Sequence, residues 1–429
     1  MSEIIKIILV FPLFLLFIYA PLPVLNKGDN RSNLNHLAYN LIISCNILLF
    51  LSFLPLPIGA YQNILIILYL LIFTCTAFVC KIKFNTKNYK NLILFFLSFF
   101  ILACVIANDL NLGWDAKFFY YIKSLFFYEG LNIKDLNIFE HNKWHPHFGS
   151  YLWAFFWKIP LFDIEYFGRL FYLFIFCFSI YFVCIKAEKN NFINYILYFL
   201  VLIVFFKYER FSGLQEVLIF SFLLISSKVL HDISNENKLS NIIILLLMTN
   251  LIMWIKSEGI VYAITIVIIL LFNKNVLFKE KIYTFFTFIT LFFLKLLIFK
   301  YYNFEINAQP YNLEYIQSIS VGEFFYRIYF ITIYLGYYSL KNTIFILGIL
   351  LLIYLNFSKT NKISLLNYNL FFILNTGFIF SAYLLRDLEI EYSLRTTLER
   401  ITFMSSSFYL YLILLFINNQ IKLIRKWKK

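Results

Sequence analysis

The sequence predicts an all-α protein, a polytopic transmembrane helical bundle of about 12 to 13 spans, and three observations carry that prediction. Of 429 residues, 62% are hydrophobic and only 14% charged. The apolar residues fall in long runs rather than at the short alternating spacing of a soluble core. A spanning helix needs about 20 mostly apolar residues, and lipid offers no partner to a free backbone amide, so these runs read as helices rather than strands. Finally, Lys and Arg gather in short clusters between the runs, where they act as topology signals at the membrane surface. The net charge of +14 resides largely in those clusters, so nucleic acid is not an expected partner. The 55 Phe and 32 Tyr, beside 12 Gly and 8 Pro, read as filling rather than as a functional signal.

In chain order the runs occur at residues 4–20, 36–54, 61–80, 91–107, 165–185, 192–207, 213–230, 241–256, 258–272, 281–300, 342–357, 367–385 and 402–420. The first starts weakly charged and ends at Pro21 and Pro23 without a small-residue cleavage site, so it is expected to remain as a helix rather than leave as a signal peptide. Orientation comes from the basic loops, which the positive-inside rule assigns to the cytoplasm: Lys81 to Lys90, Lys186 and Lys189, Lys274 to Lys281, Lys359 and Lys362, and the tail 422–429. They agree with one threading, provided that the apolar stretch 323–340 lies in the interface rather than across the membrane. That threading puts the long 108–165 loop, the turns at 207–213 and 256–259, and the loops at 301–320 and 386–400 on the non-cytoplasmic side. Residues 1–429 then form a single transmembrane domain with no separate soluble domain. The 108–165 loop is expected to carry interfacial helices. All six cysteines lie within or at the ends of runs, which gives neither a disulfide framework nor a CxxC metal signature.

Five polar clusters fall on that outer side. The first, Gly113-Trp114-Asp115-Ala116 through Lys123-Ser124, has Asp115 opening an amphipathic helix, either as a simple N-cap or as a carboxylate able to take a proton from a hydroxyl nucleophile. In the second, His141, His145 and His147 lie within seven residues, but their spacing in a Pro-containing loop is not the helical pair that zinc favours. The third, Lys207 to Glu216, places Glu216 in the first turn of a span, where it could complement the helix N-terminus or face a cavity. Next, Lys256-Ser257-Glu258-Gly259 joins two spans, and its Lys and Glu could pair across the turn. The last cluster, 386–400, supplies Arg395 and Arg400; arginine forks suit phosphate oxygens, while intrahelical Arg–Glu pairing is the plain alternative. No residue is assigned as a metal ligand and no cofactor is certain, although a divalent metal stays open.

With those residues in view, the chain resembles the GT-C superfamily of multi-span glycosyltransferases, which includes protein O-mannosyltransferases and aminoarabinose transferases. Gly113-Trp114-Asp115-Ala116 followed by Lys123-Ser124 is similar to that family's first outer loop, and His145-Pro146 to the His-Pro or Tyr-Pro element opening its next membrane segment. Gly213-Leu214-Gln215-Glu216 resembles its Gly-x-Ala-Asp entry to a later span, with Gln-Glu in place of Ala-Asp. Lys256-Ser257-Glu258-Gly259 resembles its Lys-x-Glu-Gly turn, and Arg400 falls where a late Arg is expected. Four runs precede the Asp loop here, where the commonest family plan has one.

The resemblance implies a polyprenyl-phosphate-linked sugar as donor and a glycan, lipid or protein as acceptor. It also implies an inverting displacement at the non-cytoplasmic face of a bacterial inner membrane. In that reading Asp115 is the general base, and Glu216 orients the acceptor or assists. Arg400, Arg395, Lys123, His145, Lys256 and Glu258 contact substrate or lipid phosphate. Two rivals are a polysaccharide flippase or other transporter, which would place ionisable groups near the bilayer midplane, and an O-antigen polymerase, which would use a finished repeat unit as donor.

Overall fold

The computed structural model describes residues 3–20, 30–79, 86–138, 145–159, 162–185, 192–304, 318–358 and 365–427. Among them there is no β-strand. In chain order the helices are α1 (Glu3–Tyr19), α2 (Asn30–Ser52), α3 (Gln62–Val79), α4 (Thr86–Asn108), α5 (Tyr121–Tyr128), α6 (Phe148–Trp157), α7 (Tyr166–Cys184) and α8 (Phe192–Phe205). They continue with α9 (Glu216–Asn235), α10 (Leu239–Ile255), α11 (Gly259–Phe272), α12 (Phe278–Tyr301), α13 (Val321–Lys341), α14 (Thr343–Phe357), α15 (Leu366–Leu384) and α16 (Ile390–Trp427).

Every apolar run falls on a helix. Six helical stretches among the described residues are long and apolar enough to cross a membrane, and a seventh is added if α13 and α14 count together as one span. Four more apolar stretches, in α3, α8, α10 and α11, have only 10–17 residues. These are shorter than the roughly 20 residues that a perpendicular crossing needs, so apolar runs alone overcount the helices of full spanning length.

Packing explains which helices lie inside. The α7 helix is buried over nearly its whole length and packs against α4, α6 and α9. Aromatic rings fill its surroundings: Phe171 stacks on Phe156 at 3.7 Å, and Phe220 of α9 stacks on Phe403 of α16 at 4.8 Å. Small residues let helices approach closely. Ser221 and Ser226 in α9 and Ser405 to Ser407 in α16 are all buried, and their hydroxyls return to carbonyls of their own helix. At the periphery α12 turns Phe285, Phe286, Phe293 and Leu297 outward, a face too apolar for water and suited to lipid.

The stretch expected in the interface, 323–340, is helical within α13, and α14 leaves it at 104°. Arg327 anchors the start of α13 by bonding the carbonyls of Tyr383, Arg386 and Leu388, ahead of α16. Further on, Asn342 bonds the Thr402 carbonyl, and Gly348 lies against Tyr409. The bent pair therefore follows α16 from its start into its middle.

Candidate active site

The loop that leaves α4 is fastened before it reaches Asp115. The Tyr208 hydroxyl is shared between the carbonyls of Asp109 and Asn111, and the Gly113 amide donates to the Ser212 carbonyl at 3.0 Å. Next to Ser212, Gly213 has φ +94°, a region L side chains rarely adopt, and a Cβ there would collide with Trp153 and Ala116. Asp115 has helical backbone angles and is followed by a π-helical turn, Ala116–Tyr120, before α5. Widened turns of this kind recur at functional sites. The N-cap alternative for Asp115 is not what forms, because its side chain makes no capping bond. Instead its carboxylate pairs with Arg400, which comes from the first third of α16.

From that pair an alternating chain of charges runs inward. Arg400 Nη1 lies 3.4 Å from Glu216 Oε1, at the first residue of α9. The same oxygen accepts from Lys256 Nζ at 2.7 Å, and Lys256 lies 3.7 Å from Glu258 Oε1. The order is thus carboxylate, guanidinium, carboxylate, ammonium, carboxylate. Exposure is lowest in the middle of it: the Arg400 side chain is 27% exposed and Asp115 18%, Glu216 is 4% and Lys256 7% exposed, and Glu258 at the far end is 21% exposed. The first pair forms the mouth and the second the floor. Burial draws the Lys256 ammonium down, but Glu216 and Glu258 more than reverse this and hold it well above its ordinary value. Glu216 Oε2 and Glu258 Oε2 are buried and accept no hydrogen bond among the described residues, so both retain acceptor capacity.

Lys123 and His145 join this group from the side. The Lys123 ammonium donates to the His145 carbonyl at 2.9 Å, and His145 Nδ1 lies 3.3 Å from the Ser257 hydroxyl, in the turn between Lys256 and Glu258. Burial lowers Lys123 to about 7. It also lowers His145 to about 3, helped by the charges of Lys123 and Lys256, so this imidazole is neutral. His147 faces elsewhere: its Nε2 bonds Ser52 at 2.9 Å within a cage of Phe53, Phe127 and Trp254. His141 lies outside the described residues.

Asp115, Lys123, His145, Glu216, Lys256, Glu258 and Arg400 are therefore gathered at one end of the bundle, with one member or more from each of the five polar clusters. Arg395 is not among them. Its guanidinium pairs with Glu391 one turn back and donates to the Tyr334 hydroxyl, which is the intrahelical alternative weighed for that loop. Besides Arg327, two buried cations escaped the sequence reading because each stands alone in an apolar run. Arg169, fully buried in α7, bonds Glu165, which also accepts from Trp153 Nε1. Lys295, in α12, lies behind the Lys256 turn. An ionisable residue inside a predicted span is itself the signal that could have found both.

Among the described residues no three His, Cys, Asp or Glu side chains gather as a metal site. Asp115 and Glu216 are each already paired with a cation. No model of a known family, no curated protein and no solved structure matches this chain.

Proposed function

We propose that this chain is a membrane glycosyltransferase of GT-C type that moves a sugar from a polyprenyl-phosphate carrier to a hydroxyl acceptor. The observation that supports this reading is the half-open Asp115–Arg400 pair at the mouth of a buried charge network. The threading set by the basic loops would make its outer end the non-cytoplasmic face of a bacterial inner membrane, with α13 in the interface.

In this mechanism the donor phosphate meets Arg400 first, because Arg400 is the most exposed cation of the network. The phosphate competes with Asp115 for the guanidinium and so uncovers the carboxylate. Asp115 takes the proton from the acceptor hydroxyl as that oxygen bonds to the anomeric carbon. The bond from the anomeric carbon to the phosphate oxygen breaks, its electron pair stays with the lipid phosphate, and configuration inverts. Arg400 meets the charge that develops on the leaving phosphate. Lys256 keeps Glu216 ionised, so that Glu216 orients the acceptor.

The test is transfer of radiolabelled sugar from polyprenyl-phosphate donors by membranes containing wild type or Asp115→Asn protein. A general base contributes about 10²–10⁴-fold, so the variant should lose transfer to that extent while still inserting normally. Transfer at the wild-type rate would remove Asp115 from the mechanism. Transport of a lipid-linked glycan without any transfer would favour the flippase.

A further inference from the structure

Lys295 sits six residues before the end of α12, roughly 9 Å down the helix, and is 2% exposed although the rest of that helix faces largely outward. A cation at this depth is costly unless it is held by specific partners. Its ammonium donates to the Met253 carbonyl at 2.6 Å and lies 5.4 Å from the Trp254 ring centre and 5.5 Å from that of Phe299. No carboxylate pairs with it among the described residues.

The acceptor gives the contact its meaning. Met253 belongs to the last turn of α10, where carbonyls lack partners within the helix and the helix end carries partial negative charge. The next residues are the Lys256–Glu258 turn, which supplies the floor of the charge network. Other contacts hold the same helix end. Gly259 packs so tightly on the Ile252 carbonyl that a Cβ there would collide with it. Gln215, beside Glu216, donates its amide nitrogen to the Ile255 carbonyl at 2.6 Å in the orientation that also lets its oxygen accept from the Ser150 amide. Of these partners only Lys295 carries charge.

We propose that Lys295 is a positioning residue that fixes the Lys256 turn through the Met253 carbonyl, and thereby fixes how Lys256 divides its contact between Glu216 and Glu258. If the turn relaxes, Lys256 loosens from Glu216, Glu216 competes harder for Arg400, and a phosphate at the mouth is held less well. The effect on phosphate rests on the glycosyltransferase reading; the coupling between Lys295 and the Lys256 turn does not.

Two measurements on the full-length protein in lipid nanodiscs separate these claims. In the first, farnesyl phosphate is titrated into wild type, Lys295→Met and Lys295→Arg. Affinity should fall about tenfold in the Met variant and return to within about threefold of wild type in the Arg variant, which can still reach the carbonyl. Wild-type affinity in Lys295→Met, with only a lower unfolding temperature, would reduce Lys295 to a structural cap and overturn the proposal. The second compares unfolding midpoints of Lys295→Met, Lys256→Met and the double variant. The double variant should melt close to Lys256→Met alone; additive losses would overturn the coupling. Failure of wild type to bind farnesyl phosphate would count against the glycosyltransferase reading, and the melting comparison would then decide on Lys295.

Discussion

Replacing Lys256 by Met tests whether the floor of the network is held by charge. The substitution keeps an unbranched side chain one atom shorter and removes its ammonium. Glu216, whose side chain is 4% exposed, would then keep only the longer contact to Arg400 at 3.4 Å, and Glu258 would lose its 3.7 Å partner. Breaking a buried pair by deleting one partner leaves an uncompensated charge and costs about 3–5 kcal/mol, whereas replacing both partners by apolar groups of similar shape is often near neutral. Lys256→Met should therefore destabilise by about 3 kcal/mol or more. Adding Glu216→Leu to it should recover a large part of that loss. The assay is denaturant unfolding in detergent micelles, followed by tryptophan fluorescence, for the two single variants and the double variant. The exposed Arg395–Glu391 pair is the control and should show no measurable coupling in the same cycle. A cost below about 1 kcal/mol for Lys256→Met, or strictly additive losses, would mean that the pair is solvated and the floor is not a floor.

Two further predictions follow from the same geometry. His147 is buried and lowered to about 3 by burial and by the charges of Lys123 and Lys295. In the unfolded chain it titrates near about 6.5, so below that pH the unfolded chain takes up a proton that the folded chain refuses. Stability should be fully present above about pH 6.5 and fall by about 1.4 kcal/mol per pH unit as pH drops toward 3. His145 adds a second contribution of the same sign. Melting of wild type and His147→Gln from pH 7.5 to 5 checks this, and equal slopes in the two proteins would refute it. Gly213→Ala should destabilise by about 2–4 kcal/mol in the unfolding assay, because positive φ and the crowding of Trp153 and Ala116 act together; a neutral result would mean that the loop under Asp115 yields.

The architecture was legible because burial in lipid leaves a coarse signal: each apolar run is a helix. The number of full-length crossings was not, since α10 and α11, with the apolar stretches of α3 and α8, read like spans in composition but fall short of about 20 residues. The polar clusters could be placed on one side from loop charge, yet their pairings could not be read. Lys256 and Glu258 are neighbours in sequence, and the natural guess joined them to each other. In the structure Lys256 bonds most closely to Glu216, forty residues away, because the turn after α10 sits over the first turn of α9. Arg395 and Arg400 illustrate a distinction that helical geometry alone could have drawn. Five residues apart on one helix, they point about 140° from each other, so both cannot face the same phosphate. The three histidines looked like one cluster, but His145 and His147 turn to different partners, Ser257 in the turn after α10 and Ser52 at the end of α2.

The charge count of the network raises one question that Lys123 answers. Asp115, Glu216 and Glu258 oppose only Arg400 and Lys256, and the phosphodiester donor we propose would add a further negative charge to a poorly hydrated site. Compensation has to come from a group near the network that can still gain a proton. Lys123 fits this need: it is buried, lowered to about 7 by that burial, and bonded to the backbone of His145, whose imidazole meets Ser257 inside the Lys256–Glu258 turn. At pH 8 it is largely neutral, and a nearby phosphate should raise its pKa and draw in a proton. Calorimetric titration of farnesyl phosphate at pH 8, in two buffers of different ionisation enthalpy, should report uptake approaching one proton in wild type and little in Lys123→Met. By the same sign, affinity should weaken as pH rises through about 7, because the ammonium that balances the phosphate is then lost. Equal uptake in both proteins would assign the compensating proton elsewhere, with Asp115, once released from Arg400, the next group to test.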